Sequence, residues 1–147
     1  MQSGNPVKII MVEDDEGHAQ LIERSMRRAG INNAITPFTD GASALKYLVG
    51  PNGPGEGYAK GHYLVLLDLN LPDMSGISIL EKLRANSHTR RIPVVILTTT
   101  EDEREIQRCY ELGANVYVTK PIEYDNFANA IKQLGLFLSV MQVPSSE

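Results

Sequence analysis

Cysteine is nearly missing from this chain. With one, Cys109, in 147 residues, no intrachain disulfide can form, and a reducing compartment is the expected home. No apolar run approaches the roughly 20 residues of a membrane span, and the opening MQSGNPVK lacks the apolar core of a secretion signal. Positive charge is also short, 14 Lys and Arg against 18 Asp and Glu, for a formal net charge of -4. Such a chain lacks the basic face that general nucleic-acid binding needs. The three histidines, His18, His62 and His88, show no metal-ligand spacing and offer no partner set that would activate Cys109. The glycine- and proline-rich stretch Gly50 to His62 (GPNGPGEGYAKGH) matches neither GxxxxGK[ST] nor GxGxxG, so it reads as a long surface loop. The expectation is a cytoplasmic, unanchored protein with no direct nucleic-acid or membrane partner.

What is present describes one globular domain. Hydrophobic residues make up 42% and charged residues 22%, enough to bury a core without disorder. Residues 1–6 read as a lead, 7–141 as the domain and 142–147 as a tail, with no output domain. Val7 to Val12 is an aliphatic strand that stops at Glu13-Asp14-Asp15; Asp15 is placed to cap a helix carrying Leu21, Ile22, Met26 and Ala29 and ending at Gly30. Ala34 to Phe38 contains Pro37, which removes a ladder donor and predicts an edge strand. Asp40-Gly41 opens a second helix. Leu64 to Asp68 is a third strand, wholly aliphatic until its terminal carboxylate, followed by a helix from Ser75 to Ala85 with Ile77, Leu80 and Leu83 inward. Val94 to Leu97, then Thr98, forms a fourth strand. A polar helix from Glu101 to Leu112, a short strand from Val116 to Thr119 and a last helix from about Tyr124 to Val140 complete the pattern.

Five strands alternating with five helices specify an α/β doubly wound parallel sheet, a flavodoxin-like three-layer sandwich. The strand order 2-1-3-4-5 comes from that fold class and agrees with the edge position of Pro37. In it the carboxyl ends of strands 1, 3, 4 and 5 converge, carrying Glu13 and Asp14, Asp68, Thr98 and Lys120. Taken singly, each has an ordinary reading: acids at a solvated helix start, a threonine cap, a surface lysine. Together they describe a phosphoryl-acceptor site. A carboxylate attacking a phosphoryl group needs a cation between the two, and Mg²⁺ takes one or two carboxylates plus phosphate and water oxygens. Glu13, Asp14, Asp68 and the Asn70 backbone carbonyl are the candidate ligands. Lys120 and Thr98 are the candidate contacts for phosphoryl oxygens, and transfer needs little beyond positioning and charge neutralisation.

The motifs VEDD (Val12 to Asp15), LLDLNLP (Leu66 to Pro72) with Gly76, ILTT (Ile96 to Thr99) and VTKP (Val118 to Pro121) resemble the receiver domain of two-component response regulators, over about residues 7 to 140. The resemblance implies Asp68 as phosphoacceptor, Glu13, Asp14, Asp68 and Asn70 as Mg²⁺ ligands, Thr98 as switch hydroxyl, Lys120 as phosphate contact and Tyr117 as aromatic switch. It also implies a cis Lys120-Pro121 bond. Glu13 stands where many members have Asp, and Thr99 where many have a smaller residue, which would narrow access and slow hydrolysis. The Gly50–His62 insertion and the DLNLP wording are similar to single-domain regulators paired with bacterial phytochrome histidine kinases, so the expected partner is such a sensor kinase. Output would be a binding event at the face of helix 4, strand 5 and helix 5. Leu136, Val140 and Val143 lie opposite the inward stripe of Phe127, Ile131, Leu134, Leu138 and Met141, a pattern that predicts a homodimer through this face. Three alternatives stay open: a phosphorelay intermediate, an aspartyl-phosphate hydrolase of the haloacid dehalogenase kind (disfavoured by Asn70 where a second acid belongs), and a flavodoxin-like cofactor binder (disfavoured by acids after strand 1).

Overall fold

The computed structural model describes residues 7–28, 30–50, 53–55, 62–99, 101–119 and 129. The aliphatic runs form strands β1 (Lys8–Val12), β2 (Ile35–Phe38), β3 (Tyr63–Asp68), β4 (Val94–Thr98) and β5 (Val116–Thr119). They make one sheet in the order β2-β1-β3-β4-β5, every pairing parallel. The doubly wound sheet expected above is therefore present, with Pro37 on an edge strand. Parallel neighbours require crossovers, and helices α1 (Glu16–Arg28), α2 (Gly41–Leu48), α3 (Gly76–Ala85) and α4 (Glu103–Glu111) supply them.

Each helix starts on a side chain that accepts from its own first turn. Asp15 takes the His18 amide at 2.9 Å, Asp40 the Ser43 amide at 2.7 Å, Ser75 the Ile77 amide at 3.1 Å and Asp102 the Arg104 amide at 2.9 Å. Each such cap contributes about 1 kcal/mol and fixes where a strand-end loop turns into helix. Gly30 and Gly113 follow the ends of α1 and α4 with φ of 88° and 85°.

The strands divide their side chains between two cores. Ile9, Met11, Leu64, Leu66, Val95 and Leu97 pack with Ile22 and Met26 of α1 on one face. Ile10, Val12, Val65, Leu67, Val94 and Ile96 pack with Ala44 and Leu48 of α2, Ile79, Leu80 and Leu83 of α3 and Cys109 of α4 on the other. Every residue of β3 is buried, so the strand that ends in Asp68 runs through the middle of the molecule.

Three sequence expectations need adjusting. Leu21 is 36% exposed, and Ser25 is buried beside Ile22 and Met26, so the inner face of α1 is rotated from the apolar pattern. On α3, Ile79 is buried where Ile77 was expected, and Ile77 is only partly covered. Part of the long loop is ordered: Val49–Gly50 pairs antiparallel with Gly53–Pro54. The expected fifth helix, with Lys120, the Lys120-Pro121 bond and the apolar stripes from Phe127 to Val143, lies outside the described residues. Among the described residues, no helix is long and apolar enough to cross a membrane.

Candidate functional site

The register of the sheet sets the site. Val12 is aligned with Leu67, and Leu67 with Ile96, so the next residues out, Glu13 and Asp68, emerge side by side. Asp68 is aligned with Leu97, and Thr98 follows one step further along β4. Glu13 and Asp68 are each only 3% exposed, Thr98 is fully buried and Asp14 faces solvent. One carboxylate oxygen from each of Glu13, Asp14 and Asp68 lies within 4.8 Å of the others. Burying two like charges this close is costly without a compensating positive charge. An all-oxygen donor set of this size suits a hard divalent cation such as Mg²⁺, rather than zinc, which prefers nitrogen and sulfur.

The loop after β3 folds back over Asp68. The Asn70 amide donates to Asp68 Oδ1 at 2.9 Å, and the Gly76 amide to the Leu69 carbonyl at 2.9 Å. A Cβ on Gly76 would collide with the Asp68 carbonyl oxygen and sit 2.8 Å from the Leu69 Cα, so only glycine lets α3 begin this close to the end of β3. Glu13 Oε2 accepts from the Asp15 amide at 3.1 Å and lies 3.8 Å from His18 Nδ1. The Asn70 side-chain amide reaches the hydroxyls of Thr98 at 3.3 Å and Thr99 at 3.4 Å. The loop thus touches both the Asp68 carboxylate and the threonine at the end of β4.

Beside these residues lies an open cleft of about 410 Å³, lined in part by Asp14, Asn70, Pro72, Ser75 and Glu105. Glu105, from α4, is a wall residue that sequence reasoning missed; an acid on a polar helix carries no signal of the cleft it faces. Tyr117, in β5, stacks obliquely on the half-exposed Tyr110 with ring centroids 6.3 Å apart. Burial first, then the nearby Cys109, Glu105 and Tyr110, push the Tyr117 phenol up to about 12. Burial, with Glu105 second, raises the Cys109 thiol. The structure therefore brings Glu13, Asp14, Asp68, Asn70 and Thr98 together, with Tyr117 on the adjoining strand.

Comparison with known proteins gives the same picture. The chain matches the response regulator receiver domain over residues 9–132. It is 34% identical to the response regulator Rcp1 of Synechocystis sp. over 146 residues, covering 99% of this chain and 98% of Rcp1. The crystal structure of the Mn(2+)-bound form of Rcp1 superposes with a TM-score of 0.76 at 30% identity, covering 95% of this chain and 100% of that one. A response regulator receiver domain from Rhodospirillum rubrum is 67% identical, with a TM-score of 0.78 over 96% of this chain and 99% of its own. The phosphorylated cyanobacterial phytochrome response regulator RcpA is 31% identical, with a TM-score of 0.76 over 96% of this chain and 100% of that one. With three acids, a threonine and the loop after β3 assembled at the carboxyl end of a five-stranded parallel sheet, the chain belongs to the response regulator receiver domain family.

Proposed function

We propose that this protein is a phosphorylation-controlled switch in which Asp68 accepts a phosphoryl group from a histidine kinase. The observation that carries the reading is the juxtaposition of Glu13, Asp14 and Asp68, two of them buried, at the ends of neighbouring strands. Glu13, Asp14, Asp68 and the Asn70 carbonyl would hold Mg²⁺. Bound there, the ion offsets the charge that otherwise keeps a carboxylate and a phosphoryl group apart. In the transfer, an Asp68 carboxylate oxygen forms the new bond to phosphorus. The bond from phosphorus to the donor breaks, and the donor leaves with that electron pair. Thr98 donates its hydroxyl to a phosphoryl oxygen, and Lys120 supplies positive charge to the same group.

The donor we infer is a sensor kinase of the phytochrome kind, by analogy with RcpA and on the strength of the Gly50–His62 insertion. Output is a binding event at the face of α4, β5 and the helix predicted after Tyr124, where Tyr117 reports the state of the site. A homodimer through this face is the simplest such event. Leu136→Glu should convert it to a monomer in size-exclusion chromatography with light scattering, and an unchanged dimer rules out this face.

The acceptor assignment is tested by intact-mass spectrometry after incubation with acetyl phosphate and Mg²⁺. Wild type should gain one phosphoryl group, and both Asp68→Asn and wild type with chelator should gain none. Equal labelling of Asp68→Asn overturns the assignment.

A further inference from the structure

The loop between β3 and α3 is pinned at its base and also, less obviously, at its tip. At the base, Asn70 and Ser75 form an antiparallel bridge, and Gly76 bonds back to Leu69. At the tip, the Asp73 carboxylate reaches another crossover: Oδ1 accepts from the Gly41 amide at 2.9 Å and Oδ2 from the Ala42 amide at 2.9 Å. These are the first two residues of α2, whose cap is already provided by Asp40 through Ser43. Met74 seats beside them, so closely that a Cβ on Gly41 would lie 2.6 Å from its Cγ and 2.8 Å from its Sδ. α2 is itself anchored to the sheet through the buried Gly41, Ala44 and Leu48. The tip is thus held by a helix that is fixed to the sheet through its own buried face.

Asp73 is exposed and buries nothing, and α2 keeps its own cap without it. The degree of freedom it removes is the tilt of the loop that carries Asn70 against Asp68. We propose that Asp73 is a positioning residue for the cation site, tethering the loop after Asp68 to the first turn of α2 so that the Asn70 backbone is held in place for the ion. This rests on the reading of Glu13, Asp14, Asp68 and Asn70 as a divalent-cation site. The two amide bonds to Gly41 and Ala42 hold the Asp73 carboxyl below its ordinary range, so the tether is ionised at neutral pH. Because tether and ion favour the same loop position, each strengthens the other. Ion binding should therefore quieten the amino end of α2.

The test is calorimetric titration of Mg²⁺ into wild type, Asp73→Ala, Asp73→Asn and Asp40→Ala, with amide hydrogen exchange read at Gly41 and Ala42. Asp73→Ala should bind Mg²⁺ about fivefold more weakly or worse. Asp73→Asn, which keeps one acceptor oxygen, should fall between. Asp40→Ala, which removes the ordinary cap of the same helix, should lower Tm yet keep the affinity. Exchange at Gly41 and Ala42 should slow on adding Mg²⁺ to wild type and not to Asp73→Ala. Unchanged affinity in Asp73→Ala, or an equal loss in Asp40→Ala, overturns the tether while leaving the cation site standing. A wild type that takes up no Mg²⁺ overturns the cation site and the tether with it.

Discussion

At the amino ends of the strands, polar side chains are taken up by backbone groups, whereas at the carboxyl ends acids are gathered against one another. Arg84 shows the first pattern. Its guanidinium donates to the carbonyls of Leu112 at 2.7 Å, Gly113 at 2.8 Å, Arg90 at 3.0 Å and Ile92 at 2.8 Å, joining the segments that lead into β4 and β5. Arg27 does the same for the carbonyls of Ile31 and Asn33, and the Asn33 side-chain amide for that of Val7, while the Asn115 side-chain oxygen accepts from the Val94 amide. At the other end, three carboxylates crowd within 4.8 Å, and the loop after β3 is tied by Asp73. One end uses hydrogen bonds to hold the fold. The other gathers carboxylates whose mutual repulsion a bound divalent cation would offset, the usual trade of stability for function.

That contrast can be broken experimentally from either end. The largest stability effect is expected at Arg84. Arg84→Ala strands several carbonyls and should lower unfolding free energy by about 2–4 kcal/mol in urea titrations, while acetyl phosphate labelling per folded molecule stays unchanged. Arg84→Lys should recover little, because an ammonium cannot reproduce the planar fork. Asp14→Asn should do the reverse. Removing one of the crowded charges should weaken Mg²⁺ binding about tenfold or more and raise the stability of the metal-free protein by on the order of 1 kcal/mol. Equal loss of stability in both variants would mean that the two ends do not differ as described.

The smallest effect is expected at Tyr117. Its phenol is raised to about 12 in the fold, chiefly by burial. An unfolded tyrosine ionises near pH ~10. Keeping the group neutral therefore contributes stability that is complete below about pH 10 and is lost as pH rises toward the folded value. Tyr117→Phe should flatten that alkaline decline in thermal melts between about pH 10 and 12, and an unaltered slope would place the decline elsewhere.

The carboxyl end was the more legible of the two in sequence. Strands β1, β3 and β4 are aliphatic runs that stop at chemically distinct residues, which makes Glu13, Asp14, Asp68 and Thr98 legible in the sequence, and Pro37 marks an edge. The strand order itself came from the fold class, since hydrophobic runs carry no pairing information. What stayed hidden were residues acting across the chain. Asp73 looked like one more loop acid because its partners stand 31 and 32 residues away, and only the parallel topology brings α2 beside the acceptor loop. Arg84 sits among the polar positions of α3, where an arginine normally extends into water. Ser25 is buried in α1, which an apolar pattern cannot flag. The small ladder at Val49–Gly50 is too short for any periodicity to reveal.

The residue that takes the phosphoryl group can be read directly. Protein labelled with acetyl phosphate and Mg²⁺ can be treated with borohydride, which reduces an aspartyl phosphate to homoserine, and the product mapped by peptide sequencing. Homoserine at position 68 alone is the predicted result. Homoserine at position 14, reduction at Glu13, or no reduced residue in labelled protein would contradict it.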